Sequence, residues 1–235
     1  MFKYGFIMAG GLGRRLRPLT GAIPKPLLPV GDKPIIQFII DHMKKHGIKH
    51  IFVSVNYKKE VIKNYLRDGS RYGVKIEYIE EENYTGTAGS LALLPKGFSH
   101  DLLVSNGDLI TNIDYTEINE KLKKFDLVIT GIEKNMFVDF GVLDINDDSE
   151  LLSWREKPNL KFVINGGIYG ISSKVIDFIH KKVKKHTYLD MPSLWDMMKE
   201  SGMKIGVHIH NGEWHDIGRI EDYMALNDSK GEDQL

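Results

Sequence analysis

The sequence predicts an α/β domain whose central sheet is mostly parallel. Short apolar runs alternate with amphipathic segments through the first half of the chain, which is the pattern of repeated strand–helix–strand units. A glycine-rich segment directly follows the first apolar run, and Asp108 stands just past the end of the fourth. Because ligands of such sheets bind beyond the carboxyl ends of the strands, both features predict a ligand site at that edge.

Three helices are expected between the strands of this first half. Apolar residues recur at helical spacing over Pro34–Ile48, where a proline begins the segment and Gly47 stands near its end. These are the start and stop signals of a helix. A second helix is expected at KKEVIKNYLRD, and a short third one at TAGSLALLP is stopped by Pro95. The strands are expected at KYGFIMAG, HIFVSV, VKIEYIE and DLLVSNGD.

The second half of the sequence predicts a more mixed arrangement. No internal repeat, low-complexity segment or linker divides the chain, so residues 1–235 are expected to form a single domain. The polar residues 229–235 are expected to be a frayed tail. Strands are expected at FDLVITGI, FGVLDIND, LLSWREKP, FVINGGIYGI and MKIGVHIHNG, and helices at SSKVIDFIHKKV, MPSLWDMMKES and RIEDYMALND.

Composition excludes several classes of protein. The 235 residues include 32 Lys and Arg and 32 Asp and Glu, and this zero net charge argues against a general nucleic-acid binder or a membrane-surface protein. No apolar run approaches the length of a membrane span, and no signal peptide precedes the first strand. The absence of cysteine fits a reducing compartment. We therefore expect a cytoplasmic protein without nucleic-acid or membrane partners.

The segment MAGGLGRRLRPLTGAIPKPLLPV, from Met8 to Val30, predicts a phosphate ligand. Glycines let the main chain approach a ligand closely, backbone N–H groups in such a loop form an anion-binding concavity, and the arginines and the lysine add charged donors. The segment is not the dinucleotide fingerprint G-x-G-x-x-G, because Leu16 stands at the third glycine. The P-loop pattern G-x-x-x-x-G-K-[ST] does not occur in the sequence either.

The chain resembles the sugar-1-phosphate nucleotidylyltransferases, or NDP-sugar pyrophosphorylases, over nearly its whole length. The resemblance implies a Rossmann-like three-layer domain with a mostly parallel central sheet and a smaller mixed sugar-binding part. It also implies the reaction of a nucleoside triphosphate (NTP) with a sugar 1-phosphate to give an NDP-sugar and diphosphate, with Mg²⁺ as the cofactor. The motifs that carry it occur in the family's order: AGGLGRRLRPLT, PKPLLPVGDKPII, GTAG, NGD, REKP, NGGIYGI and WHDIGRIEDY.

The resemblance assigns the phosphate and nucleotide contacts to the glycine-rich loop and to the GTAG segment. Arg15 matches a loop arginine expected on the leaving phosphates, and Lys25 a signature lysine expected near the α-phosphate, whereas Arg14 stands where many members carry a small residue. Either cation alone could be an ordinary surface charge. The catalytic set is Arg15, Lys25 and Asp108; the nucleotide-binding set is Ala9, Gly10, Gly11, Gly13, Arg15, Lys25, Gly86, Thr87, Ala88 and Gly107.

Asp108 and Asp216 match the metal ligands of the family. Mg²⁺ takes oxygen ligands, usually one or two carboxylates together with substrate phosphates and water. The alternative for Asp108 is a turn or cap aspartate. Zinc at the H-x-H pair His208 and His210 is a further possibility, although such a pair without a third ligand is more often structural.

The sugar-phosphate side is assigned to the REKP and NGGIYGI segments and to their neighbours. The alternative for the Glu–Lys pair of REKP is an exposed turn. Glu81 or Glu82 could accept hydrogen bonds from a guanine edge, or both could belong to a solvated loop. The tryptophans Trp154, Trp195 and Trp214 are expected in the core or in pocket walls. The sugar-phosphate-binding set is Gly141, Glu156, Lys157, Asn165, Gly166 and Trp214.

Among substrates, the resemblance favours GTP with glucosamine 1-phosphate. It is strongest to a subgroup that carries CBS domains ahead of this domain, some of which make GDP-glucosamine for bacterial surface glycans. Heptose or mannose 1-phosphate with GTP comes next, and then glucose 1-phosphate with dTTP or UTP. The chain is expected to be a catalytic domain excised from a longer protein, with CBS domains and a homo-oligomeric state as further expectations. The rival hypotheses are a nucleotide-sugar sensor of the same fold and a glycosyltransferase.

Overall fold

The computed structural model describes residues 1–232, with side chains through residue 228. The strands are β1 (Tyr4–Met8), β2 (Pro29–Val30), β3 (Lys33–Pro34), β4 (His50–Val55), β5 (Lys75–Glu80), β6 (Leu102–Asn106), β7 (Leu109–Thr111), β8 (Leu127–Phe137), β9 (Val142–Ile145), β10 (Leu151–Arg155), β11 (Asn159–Ile171), β12 (Ile205–His210) and β13 (Trp214–Asp216). The helices are α1 (Leu19–Ala22), α2 (Ile35–Lys45), α3 (Lys59–Leu66), α4 (Gly86–Gly89), α5 (Tyr115–Leu122), α6 (Ser173–Lys182), α7 (Met191–Glu200) and α8 (Ile220–Glu232). Short 3-10 helices lie at Arg14–Leu16, Lys25–Leu27, Ser70–Tyr72 and Ser90–Leu93.

Seven strands form the central sheet, in the order β12-β8-β11-β6-β1-β4-β5. The strands β6, β1, β4 and β5 run parallel, as the first half of the sequence predicts. In the second half, β11 runs antiparallel to both β6 and β8, and β12 runs parallel to β8. The predicted α/β class with a mostly parallel sheet is therefore confirmed.

One hydrophobic core lies on each face of the sheet, which gives the three layers of the fold. Helices α2, α3, α5 and α8 pack on one face, and α4, α6 and α7 pack on the other. Strand β1 lies between these layers and is flanked by β4 and β6, so the loop that follows it emerges at the centre of the carboxyl edge.

Helix α5 is absent from the sequence-based prediction. It begins after Asp114, whose side chain accepts a hydrogen bond from the Thr116 N–H. Such a side-chain cap satisfies an N–H group that the first turn leaves unpaired. The aspartate at the cap position was the signal that could have indicated this helix.

A two-stranded arm extends the main sheet between residues 133 and 164. It consists of the distal ends of β8 and β11 and the hairpin β9–β10, and none of its residues is buried. Because β8 runs in the same direction as β6, the arm continues past the carboxyl edge of the sheet. The expectation that Trp154 lies in the core or a pocket wall is wrong. The residue belongs to the arm and is 69% exposed, since none of the described residues forms a further layer over these strands.

Helix α8 extends to Glu232, so the described part of the predicted tail 229–235 is helical, and the remainder lies outside the described residues. None of the helices formed by residues 1–232 is long and apolar enough to cross a membrane.

Candidate active site

The glycine-rich loop turns back over the carboxyl end of β1. Gly13 has a φ of 58°, and the Thr20 hydroxyl donates to its carbonyl at 2.9 Å. A Cβ atom at this position would lie 2.9 Å from Thr20 Cγ2. The left-handed backbone and the close neighbour both require glycine here. The loop is thereby closed, and its short 3-10 helix places Arg14 and Arg15 beside the edge of the sheet.

Gly107 places Asp108 against the end of β1. Its N–H donates to the Met8 carbonyl at 3.0 Å, and a Cβ atom on residue 107 would stand 2.6 Å from that same oxygen. Any larger residue would push the two strand ends apart. Asp108 therefore lies next to the point where the ends of β6 and β1 meet, beside the glycine-rich loop.

Lys25 and Asp108 form an ion pair at the centre of this edge. The Lys25 ammonium donates to Asp108 Oδ2, and the two side chains are only 11% and 23% exposed. The other carboxylate oxygen, Oδ1, is buried without a hydrogen-bond partner among the described residues. An unpaired buried carboxylate oxygen is costly, so Oδ1 is an acceptor available to a ligand.

Strand β13 brings Asp216 to the same edge of the sheet, beside Asp108. This strand pairs with β7 so that Asp216 lies opposite Leu109, and the Ile217 N–H donates to the Asp108 carbonyl at 3.1 Å. Burial raises the pKa of Asp216, and the charge of Asp108 raises it further. Lys25 and Arg15 act in the opposite direction on that pKa. The cluster thus combines two carboxylates with two cations.

The donor set fits a magnesium ion that is completed by substrate. Asp108 and Asp216 supply carboxylate oxygens, one of them buried and unpaired. No group of three or more His, Cys, Asp or Glu residues suited to a metal ion occurs within the described chain. Mg²⁺ commonly uses one or two carboxylates and takes its other ligands from phosphates and water. Two carboxylates beside the glycine-rich loop are therefore sufficient for such a site.

Two adjoining cavities lie over this cluster. The larger, of 330 Å³, covers the ion pair and the arginines, and the smaller, of 150 Å³, extends towards the GTAG segment. Of the predicted nucleotide-binding residues, all except Ala88 line one or both. Ala88 is completely buried in the core beneath α4, so its side chain faces neither cavity. The lining residues are Met8, Ala9, Gly10, Gly11, Gly13, Arg14, Arg15, Lys25, Pro26, Ser54, Glu81, Tyr84, Gly86, Thr87, Asn106, Gly107, Asp108 and Gly218.

A buried carboxylate, Glu81, faces the smaller cavity. It is 5% exposed, and its Oε2 accepts from the backbone N–H and the hydroxyl of Thr85 at 3.0 and 2.6 Å. Its Oε1 points at Gly10, where a Cβ atom would be only 2.5 Å away. The neighbouring Glu82 side chain is 76% exposed and lies 3.9 Å from His186. Glu81 thus lines the smaller of the two cavities, and Glu82 lines neither of them.

Close packing explains why some residues of the GTAG segment are small. Gly86 has a φ of 81°, and a Cβ atom there would lie 2.4 Å from the Leu189 carbonyl oxygen. At Gly89 it would lie 2.6 Å from the Thr187 carbonyl oxygen. The N–H groups of Ala88 and Gly89 donate to Leu189. The segment before α7 therefore anchors α4 beside the cavity.

The predicted sugar-side residues fall into two groups. Where the arm joins the main sheet, Trp214 Nε1 donates to the Gly166 carbonyl at 2.8 Å and Asn165 Nδ2 donates to the Tyr169 hydroxyl at 2.8 Å. A cavity of 430 Å³ adjoins this group and is lined by Lys134, Trp214, His215, Asp216, Ile217, Asp222, Ala225 and Leu226.

The second group lies on the arm itself. Lys157 pairs with Asp139 at 2.8 Å, and a Cβ atom at Gly141 would stand 3.1 Å from Glu156 Oε2. Gly141, Glu156 and Lys157 line none of the three cavities given above for the described chain.

The H-x-H pair of β12 has protein partners. His208 is 5% exposed, and its Nδ1 lies 3.6 Å from a Glu117 carboxylate oxygen. Burial lowers the pKa of His208. His210 Nε2 forms a hydrogen bond with the Glu213 carbonyl at 3.2 Å. These contacts favour the structural interpretation of the pair over zinc binding.

Several cavity residues are absent from the sequence-based set. Asn106 and Gly218 belong to motifs whose other members were selected, so their neighbours could have indicated them. Arg14 lines the larger cavity, although the sequence left its direction open. Tyr84 precedes the GTAG segment and lines both cavities. No local pattern pointed to it.

Comparison with known proteins agrees with this geometry. Residues 4–232 match the family model described as nucleotidyl transferase. A UTP--glucose-1-phosphate uridylyltransferase of Synechocystis is 31% identical over 92% of this chain and 60% of that protein. The D-glycero-alpha-D-manno-heptose 1-phosphate guanylyltransferase of Campylobacter jejuni is 33% identical over 92% of this chain and 95% of that protein.

Solved structures show the same fold. HddC from Yersinia pseudotuberculosis has a TM-score of 0.75 and 27% identity, covering 97% of this chain and all of that one. The same protein complexed with GMP-PN has a TM-score of 0.75 and 26% identity over the same shares of both chains. The chain thus spans nearly the full length of some relatives and about three-fifths of the Synechocystis protein.

Proposed function

The chain belongs to the nucleotidyl transferase family, and from that premise we propose that it is a sugar-1-phosphate guanylyltransferase. An oxygen of the sugar phosphate attacks the α-phosphorus of GTP, the bond to the β-phosphate oxygen breaks, and diphosphate leaves. The products are a GDP-sugar and diphosphate. No covalent enzyme intermediate is needed, so the protein's work is positioning and charge stabilisation.

The charged cluster has the composition that this transfer requires. Lys25 and Arg15 are cations beside the glycine-rich loop, where they would neutralise charge on the α-phosphate and on the departing diphosphate. Asp108 and Asp216 would hold Mg²⁺, which when bound supplies positive charge to the phosphates. The unpaired Asp108 Oδ1 supports this assignment.

The preference for GTP rests on the buried carboxylate of Glu81. A carboxylate only accepts hydrogen bonds. Among the common bases, guanine alone presents two adjacent N–H donors, N1–H and N2–H₂, on its Watson–Crick edge. Glu81 is buried, lines the cavity next to the phosphate loop, and has one oxygen free of the Thr85 contacts. A base with acceptors at that edge would leave this carboxylate poorly paired.

For the sugar, glucosamine 1-phosphate remains the first candidate on the sequence resemblance. Heptose 1-phosphate, named in the Campylobacter relative, is the next, followed by mannose 1-phosphate. We assign the sugar to the side of Asp216 where Trp214 and Asn165 lie, since an aromatic wall beside polar groups suits a pyranose. On the sequence resemblance, we assign the remaining contacts with the sugar phosphate to Glu156, Lys157 and Gly141. Affiliation with the CBS-linked subgroup and a cytoplasmic location remain predictions.

The test is diphosphate release with Mg²⁺, crossing GTP, dTTP, UTP, CTP and ATP with glucosamine, heptose, mannose and glucose 1-phosphates. We expect release with GTP and one of the first three sugars.

Glu81→Gln keeps an oxygen for Thr85 but presents an amide to the base. It should raise the KM for GTP by roughly 10- to 100-fold, whereas the exposed Glu82→Gln should leave it unchanged.

Two results would count against parts of this proposal. Equal KM values for GTP in the two glutamine variants would remove Glu81 from base recognition. Nucleotide binding without diphosphate release for any pair would favour a sensor of the same fold over an enzyme.

A further inference from the structure

The carboxylate of Glu81 accepts two hydrogen bonds from one residue, Thr85. The N–H and the hydroxyl of Thr85 both donate to the same oxygen, Oε2, at 3.0 and 2.6 Å. Thr85 is completely buried and Glu81 is 5% exposed, so these contacts are shielded from bulk water. An ionised carboxylate has about four acceptor sites on its two oxygens. The two Thr85 donors therefore occupy Oε2 and leave both acceptor sites of Oε1.

The other oxygen of Glu81 lies in a space that a glycine keeps open. A Cβ atom at Gly10 would lie 2.5 Å from Oε1, and both residues line the smaller cavity. The terminal torsion of a glutamate side chain is broad, so the rotamer alone does not fix where each oxygen points. The hydrogen bonds from Thr85 supply this restraint and keep Oε1 beside Gly10.

The main chain at both ends of this contact is fixed by other hydrogen bonds. The Glu81 N–H donates to the Val55 carbonyl at 3.0 Å, and Asn56 Nδ2 donates to the Glu81 carbonyl at 2.9 Å. The Leu189 N–H donates to the Thr85 carbonyl at 2.8 Å. The backbone is thus restrained without the Thr85 hydroxyl, which leaves that hydroxyl to act on the direction of the carboxylate.

We propose that Thr85 is a positioning residue that sets base selection by orienting the Glu81 carboxylate. The proposal rests on the proposed role of Glu81 in base recognition. With the hydroxyl in place, Oε1 presents two acceptor sites, which match the adjacent N1–H and N2–H₂ donors of guanine. Without the hydroxyl, Oε2 regains an acceptor site and the carboxylate can turn, so this match is lost. The alternative is that the contact only closes the loop between residues 81 and 85.

Binding of GTP and of inosine triphosphate (ITP), measured by calorimetry without a sugar phosphate, tests this role apart from catalysis. The base of ITP lacks the 2-amino group of guanine. We expect the wild type to bind GTP about 10- to 100-fold more tightly, as for a hydrogen bond to a charged group. Thr85→Val keeps the shape of the side chain without the hydroxyl and should lower this preference by roughly 10-fold. Thr85→Ser keeps the hydroxyl and should retain the preference.

Two controls separate this role from a general effect on the fold. Thr130 is also completely buried, but its hydroxyl has no hydrogen-bond partner within the described chain, and the residue lines neither of the two adjoining cavities. Thr130→Val should therefore keep the wild-type preference. The second control is a double-mutant cycle. In the Glu81→Gln background, Thr85→Val should cause no further loss of preference, because Thr85 acts through the carboxylate.

The outcomes distinguish a failure of this proposal from a failure of base recognition by Glu81. Thermal midpoints show whether each variant folds, and Thr85→Ala, which puts no methyl group against the carboxylate, replaces a valine variant that does not. An unchanged preference in a folded variant without the hydroxyl would overturn the positioning role alone. An equal loss with and without the Glu81 carboxylate would do the same. Equal binding of GTP and ITP by the wild type would overturn the role of Glu81, and that of Thr85 with it.

Discussion

At the scale of single residues, the site depends on a few glycines where an added side chain would meet a neighbouring polar atom. Gly107 allows the end of β6 to meet the end of β1, and Gly10 makes room for Glu81 Oε1. Both glycines face a polar atom at less than normal contact distance for a Cβ. We assign Asp108 to the metal and Glu81 to the base. Both carboxylates can occupy their positions because the neighbouring glycine has no side chain.

Asp108→Asn tests the metal assignment at this scale. The amide oxygen can still accept from Lys25, so the thermal midpoint should change little. The negative charge is lost, so the rate of diphosphate release should fall by about 10²–10³-fold. The exposed Asp196→Asn on α7 is the control and should retain full activity. A rate near that of wild type for Asp108→Asn would remove this residue from the metal site.

At the scale of elements, α4 is anchored to the segment before α7 by close backbone approach. In Gly86→Ala, the new Cβ meets the Leu189 carbonyl, and the residue must keep a φ of 81°. We expect a loss of about 2–4 kcal/mol in the free energy of unfolding. Gly202→Ala has a similar φ of 72° but open space around it, so it should lose only about 1 kcal/mol. Equal losses in chemical denaturation would show that backbone strain alone accounts for the effect.

Helix α3 is tied to β5 by a pair of lysines. Lys59 and Lys63 donate to Glu80 at 2.7 and 2.8 Å. These hydrogen bonds, first that of Lys59, lower the pKa of Glu80 to about 2. The folded state therefore favours the ionised form, and the resulting stability is complete above about pH 4.5 and is lost as the pH falls towards 2.

Glu80→Gln should remove this pH dependence. Because the pair is largely exposed, we expect a loss of at most about 1 kcal/mol in the free energy of unfolding at pH 7, and almost none near pH 2. Urea titrations at the two pH values measure the difference. Exposed Glu200→Gln serves as the control. An equal loss at both pH values would show that the ion pair is not its origin.

At the scale of the whole molecule, the cavities are assembled from segments that are distant in sequence. The glycine-rich loop, the 81–87 segment, the end of β6 and the strand β13 meet at one edge. The parallel strands bring the first three together, because their carboxyl ends lie side by side. The fourth arrives only because β13 pairs with the short strand β7.

Local sequence patterns predicted those features of the fold that depend only on residues near one another in the chain. Strand–helix alternation, a glycine-rich loop and an aspartate after β6 predicted the class of fold and the edge that carries the cavities. Periodicity and turn residues are local properties, so the sequence expresses them directly. The sequence-based prediction missed helix α5, although the Asp114 cap is a local start signal.

Burial and long-range pairing were decided by the tertiary structure. The sequence left Glu81 and Glu82 equivalent, and only the fold turns Glu81 inward beside Gly10. The sequence predicted Trp154 in a core or pocket wall, yet the residue is exposed on the arm, which no layer of the described chain covers. Composition and periodicity by themselves determined an α/β domain and predicted a phosphate ligand at its glycine-rich loop. Which carboxylates meet, and which apolar face stays open, depends on contacts between residues far apart in the chain, and these arise only when the layers pack.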